Sequence, residues 1–407
     1  MRPRAGPWQP LPLRSALRPR GRCVAAATGS GTNSKRRRAG VPRLLLSAAL
    51  IVRNEERFLE ACLQSLDGCV DEIVVVDTGS TDRSLEIAAD RGARIIRRAW
   101  TDDFASARNA SIDAARCEWI LYIDADEQVV AFDRAKVERE LTDPQCACYT
   151  VRLRPLAGYT RYRVHRLFRN RPDLRFRGVI HESLIPALDA LRAREGLRVG
   201  ASGVALEHYG YADPRRKAER DLPLLRDRLR TEPGHVYSWA HLGATLAALG
   251  DTAGAETAWG QGVEVVRKLR SRTSGDSLPH LYLARHLLDC RRDATALLEE
   301  GNRWFPDNHA LTWLLAQGRL ATGRFEEALP LFARLSALDA DGLDDGALAY
   351  DVSIFGANAH AALGLCAFRL GCYADSAAHY ARALALAPND PALRTKQMFA
   401  AAKAASV

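Results

Sequence analysis

Between Leu44 and Asp126, short apolar runs alternate with segments whose apolar residues recur every three to four positions. LLLSAALIV (44–52) reads as a buried strand, EERFLEACLQSL (55–66) as an amphipathic helix and DEIVVVD (71–77) as a second strand. DRSLEIAADRG (82–92) reads as a helix closed by Gly92, ARIIRR (93–98) as a third strand and FASARNASIDAA (104–115) as a third helix. The fourth strand, Trp119 to Ile123, runs into Asp124-Ala125-Asp126-Glu127. Because βαβ crossovers are right-handed, the β-α-β-α-β-α-β order predicts a parallel sheet with helices on both faces. Beyond about Thr231 the pattern turns to helices alone, repeating every ~34 residues. Trp239, Leu242, Gly243, Gly250, Ala255 and Trp259 recur in kind as Leu315, Ala316, Gly323, Ala328 and Phe332. They recur again as Leu363, Gly364, Gly371, Ser376, Tyr380, Ala383 and Pro388, with a weaker copy at 280–306. Small residues facing an aromatic at this period are the tetratricopeptide signature, so an α-helical solenoid is expected. The predicted layout is an extension at 1–40, an α/β domain at 41–230 and a repeat domain at 231–407.

Charge changes the picture only at the N-terminus. Twelve of the 58 Lys and Arg and none of the 49 Asp and Glu precede Glu55, so the rest carries 46 basic against 49 acidic residues. The basic pI belongs to the tail, and no nucleic-acid partner is expected. Residues 1–40, rich in Pro, Gly, Ser and Arg without an apolar period, are read as disordered. Nine scattered cysteines without a CxxC pair suggest a reducing compartment. A cytoplasmic location follows, with organelle import through the Arg-rich N-terminus as the alternative. Cys146 and Cys148, two apart in a strand, are expected on one face as core fillers. No apolar stretch approaches the ~18 residues of a membrane span.

Polar residues collect where parallel strands end, the rim at which open α/β sheets bind ligands. They are Arg53-Asn54-Glu55-Glu56, Asp77 to Asp82, Asp102-Asp103 and Asp124-Ala125-Asp126. Helix capping accounts for Ser80 or Asp82 and for Asp102 or Asp103, but not for Asp77 or the Asp124/Asp126 pair. In an extended chain that pair points one way with Cα atoms roughly 7 Å apart, which calls for a cation. Neither a GxGxxG nor a GxxxxGK[ST] loop follows the first strand. A divalent ion on Asp126, with Arg108 beside it, would serve a diphosphate instead, and oxygen ligands suit Mg2+ or Mn2+.

VRNEERFLEACLQSL, DEIVVVDTGSTDRSLEIA, DDFASARNASIDAA and WILYIDADE, in that order, resemble family 2 glycosyltransferases of the GT-A fold. The match is close over about 45–130 and looser over 131–230, through RLFRNRPDLRFRGVIHE and EHYGYADP. The repeats resemble those of a bacterial subgroup fused to such transferases. The resemblance implies a Rossmann-like α/β GT-A domain that moves a hexose-like sugar from a UDP- or GDP-sugar with inversion, using a DxD motif and a divalent metal. It places Val52, Arg53, Asn54 and Glu55 along the nucleotide, Asp77 at the base, Asp103 and Arg108 in mid-pocket, Asp124 near the ribose and Asp126 on the metal. Asp124 and His208 are further candidates for the metal shell.

Direct displacement needs a base for the acceptor's proton. Among Glu127, Glu182 and Glu207, Glu182 in Gly178-Val179-Ile180-His181-Glu182 is the choice. Donor and metal are thus expected to be held by residues before about 210, and the acceptor, a protein, peptide or glycan, to be recognised partly by the repeats. A non-catalytic repeat scaffold on a degenerate transferase fold and a nucleotidyltransferase are the rival readings.

Overall fold

Eight strands form one sheet in the order β3-β2-β1-β4-β7-β6-β8-β5. They are β1 (Leu46–Val52), β2 (Glu72–Asp77), β3 (Arg94–Arg97), β4 (Trp119–Tyr122), β5 (Glu127–Ala131), β6 (Cys146–Arg154), β7 (Tyr162–Arg169) and β8 (Arg198–His208). The computed structural model describes residues 45–210, 214–343 and 346–406, and the extension at 1–40 lies outside them. β1 to β4 are mutually parallel, as their periodicity predicts. The later strands mix directions: β7 runs antiparallel to β4 and β6, and β5 antiparallel to β8. The sheet is thus mixed, with a parallel half from β3 to β4 and strands of both directions beyond it.

Alternation along the strands feeds two cores. Leu46, Ala48, Leu50 and Val52 of β1 pack with Leu59 and Leu63 of α1 (Glu56–Ser65) and Ala88 of α2 (Ser84–Asp90). Ala49 and Ile120 face the other way, against Ile112 of α3 (Phe104–Ala114) and Leu188 and Leu191 of α5 (Ile185–Glu195). Val137 and Leu141 of α4 (Arg134–Leu141) join the first core. Cys146 and Cys148 are both buried, but on opposite faces, contrary to the one-face expectation. The pairing of β6 with β8 shifts register between them, and the extra residue turns the second side chain over.

The helical half begins with α6 (Pro214–Thr231), placed by the sequence pattern with the α/β domain. Its Leu224, Leu225 and Leu229 pack against Leu242 and Leu246 of α7 (Val236–Ala248) and Ala255 and Trp259 of α8 (Thr252–Lys268). Each such buried leucine contributes on the order of 1.5–3 kcal/mol. The same cluster reaches Ile180, Val179, Trp100 and Phe104 of the α/β half, so α6 packs on both. Helix pairs follow: α9 (Leu278–Asp289) with α10 (Thr295–Trp304), α11 (His309–Ala321) with α12 (Phe325–Ser336), and α13 (Ala357–Arg369) with α14 (Tyr373–Leu386), then α15 (Pro391–Ala404). The small-residue signature has a direct cause: a Cβ on Gly243 would sit 2.2 Å from the Trp259 indole. Among the described residues, no helix is long and apolar enough to cross a membrane.

The array returns to the α/β half a second time. Thr160 donates its N–H to the Tyr350 carbonyl at 2.8 Å, and Tyr350 donates back to the Thr160 hydroxyl at 2.9 Å. Val352 and Arg163 add backbone bonds to Gly158 and Gly346.

Candidate active site

The rim loops after β1 and β2 are tied together by their own side chains. Asn54, at φ 57°, accepts from the Thr81 N–H at 2.7 Å and donates its own N–H to Ser80. Glu55 and Glu56 donate their backbone N–H groups to Ser84 and Asp82, so the start of α1 is fastened to the loop after β2. Asp77 is buried, and its two oxygens accept from Gly79 and Ser80, which shapes the turn. Asp103 caps α3 through the Ser106 N–H at 2.9 Å, as the capping alternative allows. Val52 ends β1 buried, its carbonyl bonded to Thr78, while Arg53 is exposed.

One turn into α3, Arg108 is buried and bridges two acids. It donates through Nη2 to Asp124 at 2.7 Å and through Nε to Glu182. Antiparallel pairing of β7 on β4 brings in a second guanidinium, Arg166, which no pattern in the sequence singled out. Arg166 bonds the other oxygen of Asp124 at 3.1 Å and Glu127 at 2.8 Å. Both guanidiniums stack on the Tyr122 ring, at 4.4 Å and 3.9 Å from its centroid. The cation demanded by the paired acids is therefore, for Asp124, protein. Burial alone would raise its pKa, but Arg108 and Arg166 hold it well below the usual carboxylate range. Both of its oxygens are engaged in this network.

Among the described residues, no arginine pairs with Asp126. The β5–β8 ladder sets His208 beside it, Nε2 3.1 Å from Oδ2, and the Tyr209 N–H bonds the Asp126 carbonyl at 2.8 Å. Burial works against a charge on His208, but the hydrogen bond to Asp126 and the fields of Asp126, Glu127 and Asp124 outweigh it and raise its pKa. Gly210 lies against this acid: a Cβ there would stand 1.9 Å from Asp126 Oδ2. Burial, then Asp126, Asp82 and Asp124, push the Glu55 carboxyl up to about 7, opposed by Arg220. Burial and the neighbouring Asp124 and Asp126 likewise push Glu127 up to about 7 against Arg166.

Of the three candidate bases, Glu127 is buried at the start of β5 and bonds the Asp124 N–H. Glu207 is held by Arg161 at 3.0 Å and Arg154 at 3.2 Å. Glu182 stands over the site on a short loop closed by paired backbone bonds between Arg177 and Ser183. The residue before it, His181, is in the left-handed region at φ 51°, a conformation that costs a non-glycine residue on the order of 1 kcal/mol or more. Its ring packs on Tyr237 and His241 of α7, with centroids 4.9 Å and 4.3 Å away.

No three or more His, Cys, Asp or Glu side chains among the described residues converge on a ready-made metal cage. Asp126 and His208 are two ligands that the fold sets side by side. That donor set fits Mg2+ or Mn2+, which keep few protein ligands and take the rest from substrate phosphates and water.

Residues 47–192 match the model of glycosyl transferase family 2, and residues 357–390 match the tetratricopeptide repeat. A TPR repeat-containing protein of Synechococcus elongatus is 38% identical over 233 residues, 55% of this chain and 58% of that protein. The SPbeta prophage-derived glycosyltransferase SunS of Bacillus subtilis is 28% identical over 199 residues, 46% of each chain. The lipopolysaccharide core biosynthesis glycosyltransferase LpsC of Rhizobium meliloti is 32% identical over 178 residues, 38% of this chain and 63% of that one. The matches thus span less than two thirds of each relative's length.

Proposed function

We propose that this chain, which belongs to glycosyl transferase family 2 through residues 47–192 and carries tetratricopeptide repeats, transfers a sugar from a nucleotide-sugar donor with inversion at the anomeric carbon. The observation that carries the reading is the division of labour between the two acids. Asp124 is neutralised by two buried arginines, whereas Asp126, among the described residues, is paired with His208 and with no arginine. An acid kept free of guanidinium beside an imidazole is suited to a divalent ion. Bound there by Asp126 and His208, Mg2+ or Mn2+ would take up charge that builds on the leaving diphosphate.

In this reading the loops of Val52 to Glu55, Asp77 and Asp103 line the nucleotide, and the hydrogen bonds between the first two keep that part of the wall set before the donor arrives. Arg108 and Arg166 fix Asp124 toward the ribose. Glu182 is the base. Arg108 holds its Oε1, so Oε2 is the oxygen that takes the acceptor's hydroxyl proton as the acceptor oxygen bonds the anomeric carbon and the nucleoside diphosphate leaves. The acceptor, a protein, peptide or glycan, is recognised partly by the repeats, whose Tyr237 and His241 already touch the loop that carries Glu182.

Incubating the chain with a panel of UDP- and GDP-sugars and Mn2+, and measuring nucleoside diphosphate released, tests the proposal without knowledge of the acceptor. A donor-specific, Mn2+-dependent release that disappears in Asp126→Asn supports it. Release of pyrophosphate from nucleoside triphosphates would favour a nucleotidyltransferase, and inertness toward both would favour a scaffold.

A further inference from the structure

The loop that carries Glu182 is held from outside the family 2 segment. Arg228, near the end of α6 and buried, donates Nη1 to the carbonyls of Ile180 and His181, the latter at 3.0 Å. Its Nη2 lies 3.2 Å from His235 Nε2 at the start of α7. On the other side of the guanidinium is Gly178, at φ 104°, where a Cβ would come within 2.6 Å of Nη1. The loop thus has no side chain where the arginine enters. The Phe104 N–H, at the start of α3, takes the Val179 carbonyl at 2.9 Å.

Hydrogen bonds and one peptide link therefore run without a gap from the repeats to the paired acids. His235 meets Arg228, Arg228 holds Ile180 and His181, Glu182 follows in the chain, and Arg108 joins Glu182 to Asp124. A buried guanidinium is desolvated at considerable cost and is retained where its forked geometry satisfies acceptors that nothing else reaches. Here those acceptors are the two carbonyls immediately before the proposed base.

We infer that Arg228 is a positioning residue for Glu182, and that through it the helix leading into the repeats sets the geometry of proton removal. The repeats are then a part of the catalytic frame in addition to any acceptor they bind. The inference rests on the reading of Glu182 as the base.

The test uses the full chain with four changes: Arg228→Ala, Arg228→Lys, Gly178→Ala, and Arg228→Ala with Gly178→Ala together. Two readouts are taken: Mn2+-dependent hydrolysis of the best sugar nucleotide from the panel, and hydrogen exchange of the peptide 177–184. Arg228→Ala should lower kcat on the order of 10²-fold, as a misplacement of about 1 Å does, with donor KM unchanged within about twofold. Arg228→Lys should recover part of the loss, since an ammonium lacks the planar fork that spans both carbonyls. Gly178→Ala disturbs the same contact from the loop side, so the double variant should be no worse than the poorer single one. Exchange in 177–184 should quicken in each variant. Unchanged exchange would overturn the contact, and quickened exchange with unchanged kcat, or a loss confined to KM, would overturn the positioning role. If the unaltered chain hydrolyses no donor while exchange still quickens in Arg228→Ala, the transferase reading falls and the role in catalysis with it, though the loop contact stands.

Discussion

Replacing Arg166 by Met tests whether the site is a charge-balanced network. The side chain is buried and meets Glu127, itself 2% exposed, at 2.8 Å and Asp124 at 3.1 Å. Methionine keeps the stem and the packing on Tyr122 but removes the charge. Breaking a buried pair of this kind costs about 3–5 kcal/mol, because the remaining carboxylates lose their counter-charge. The pH dependence supplies the sharper check. In the folded protein Glu127 is raised to about 7 from an ordinary 4.5, so the folded state binds the proton more tightly than the unfolded state. Its contribution to stability therefore falls as pH rises from about 4.5 to 7, and then levels off. Arg166 works to lower that pKa, so without it the fall continues above 7, at about 1.4 kcal/mol per pH unit. Urea unfolding at pH 6, 7 and 8 should show the penalty of Arg166→Met growing between pH 7 and 8, and Glu127→Gln in the same chain should abolish that growth. A penalty under about 1 kcal/mol at pH 8, or one that is flat with pH, would refute the reasoning.

Four other outcomes follow. Asp126→Asn should abolish donor hydrolysis without loss of fold and return the His208 pKa, followed by NMR titration, toward its ordinary value, because Asp126 is its strongest supporting partner. Gly210→Ala should mimic that loss of activity, since its methyl group occupies the place of the Asp126 carboxylate, with calorimetry showing weakened binding of Mn2+ and nucleotide. The stabilisation by Mn2+ with nucleoside diphosphate, measured by thermal melts, should be larger at pH 8 than at pH 6, because Glu55 beside Asp126 ionises at about 7. His241 is lowered to about 4 by burial, Lys217 and His235, so the stability it confers is present above about 6.5 and is lost as pH falls toward 4. His241→Phe should flatten acid unfolding across that window.

The parallel half of the sheet was legible because β1, β2 and β4 are buried on both faces and its helices are amphipathic, so two periods marked every boundary within two residues. The acids at the strand ends were legible for the same reason. Arg166 was not: it stands in an arginine-rich stretch, and only the antiparallel return of β7 on β4 selects it over its neighbours. The one local hint is a charge set directly before the buried pair Leu167-Phe168. The contacts that Arg228, Tyr237 and His241 make with the loop before Glu182 were not legible either. Their partners lie some fifty residues back in the chain, at 180 and 181, and no period links such positions.

The pairing of Thr160 with Tyr350 bears on how the protein is made. The two residues are 190 positions apart, and in a chain emerging from the ribosome the β6–β7 connection appears long before its partner exists. At synthesis rates of about 5–20 residues per second, that connection waits roughly 10–40 s with its backbone groups unmet. Contacts of such sequence separation also form slowly in free refolding, because loop closure precedes any reward. The nascent α/β half is therefore open to chaperones and proteases at this edge until α12 and the residues up to Tyr350 have been made.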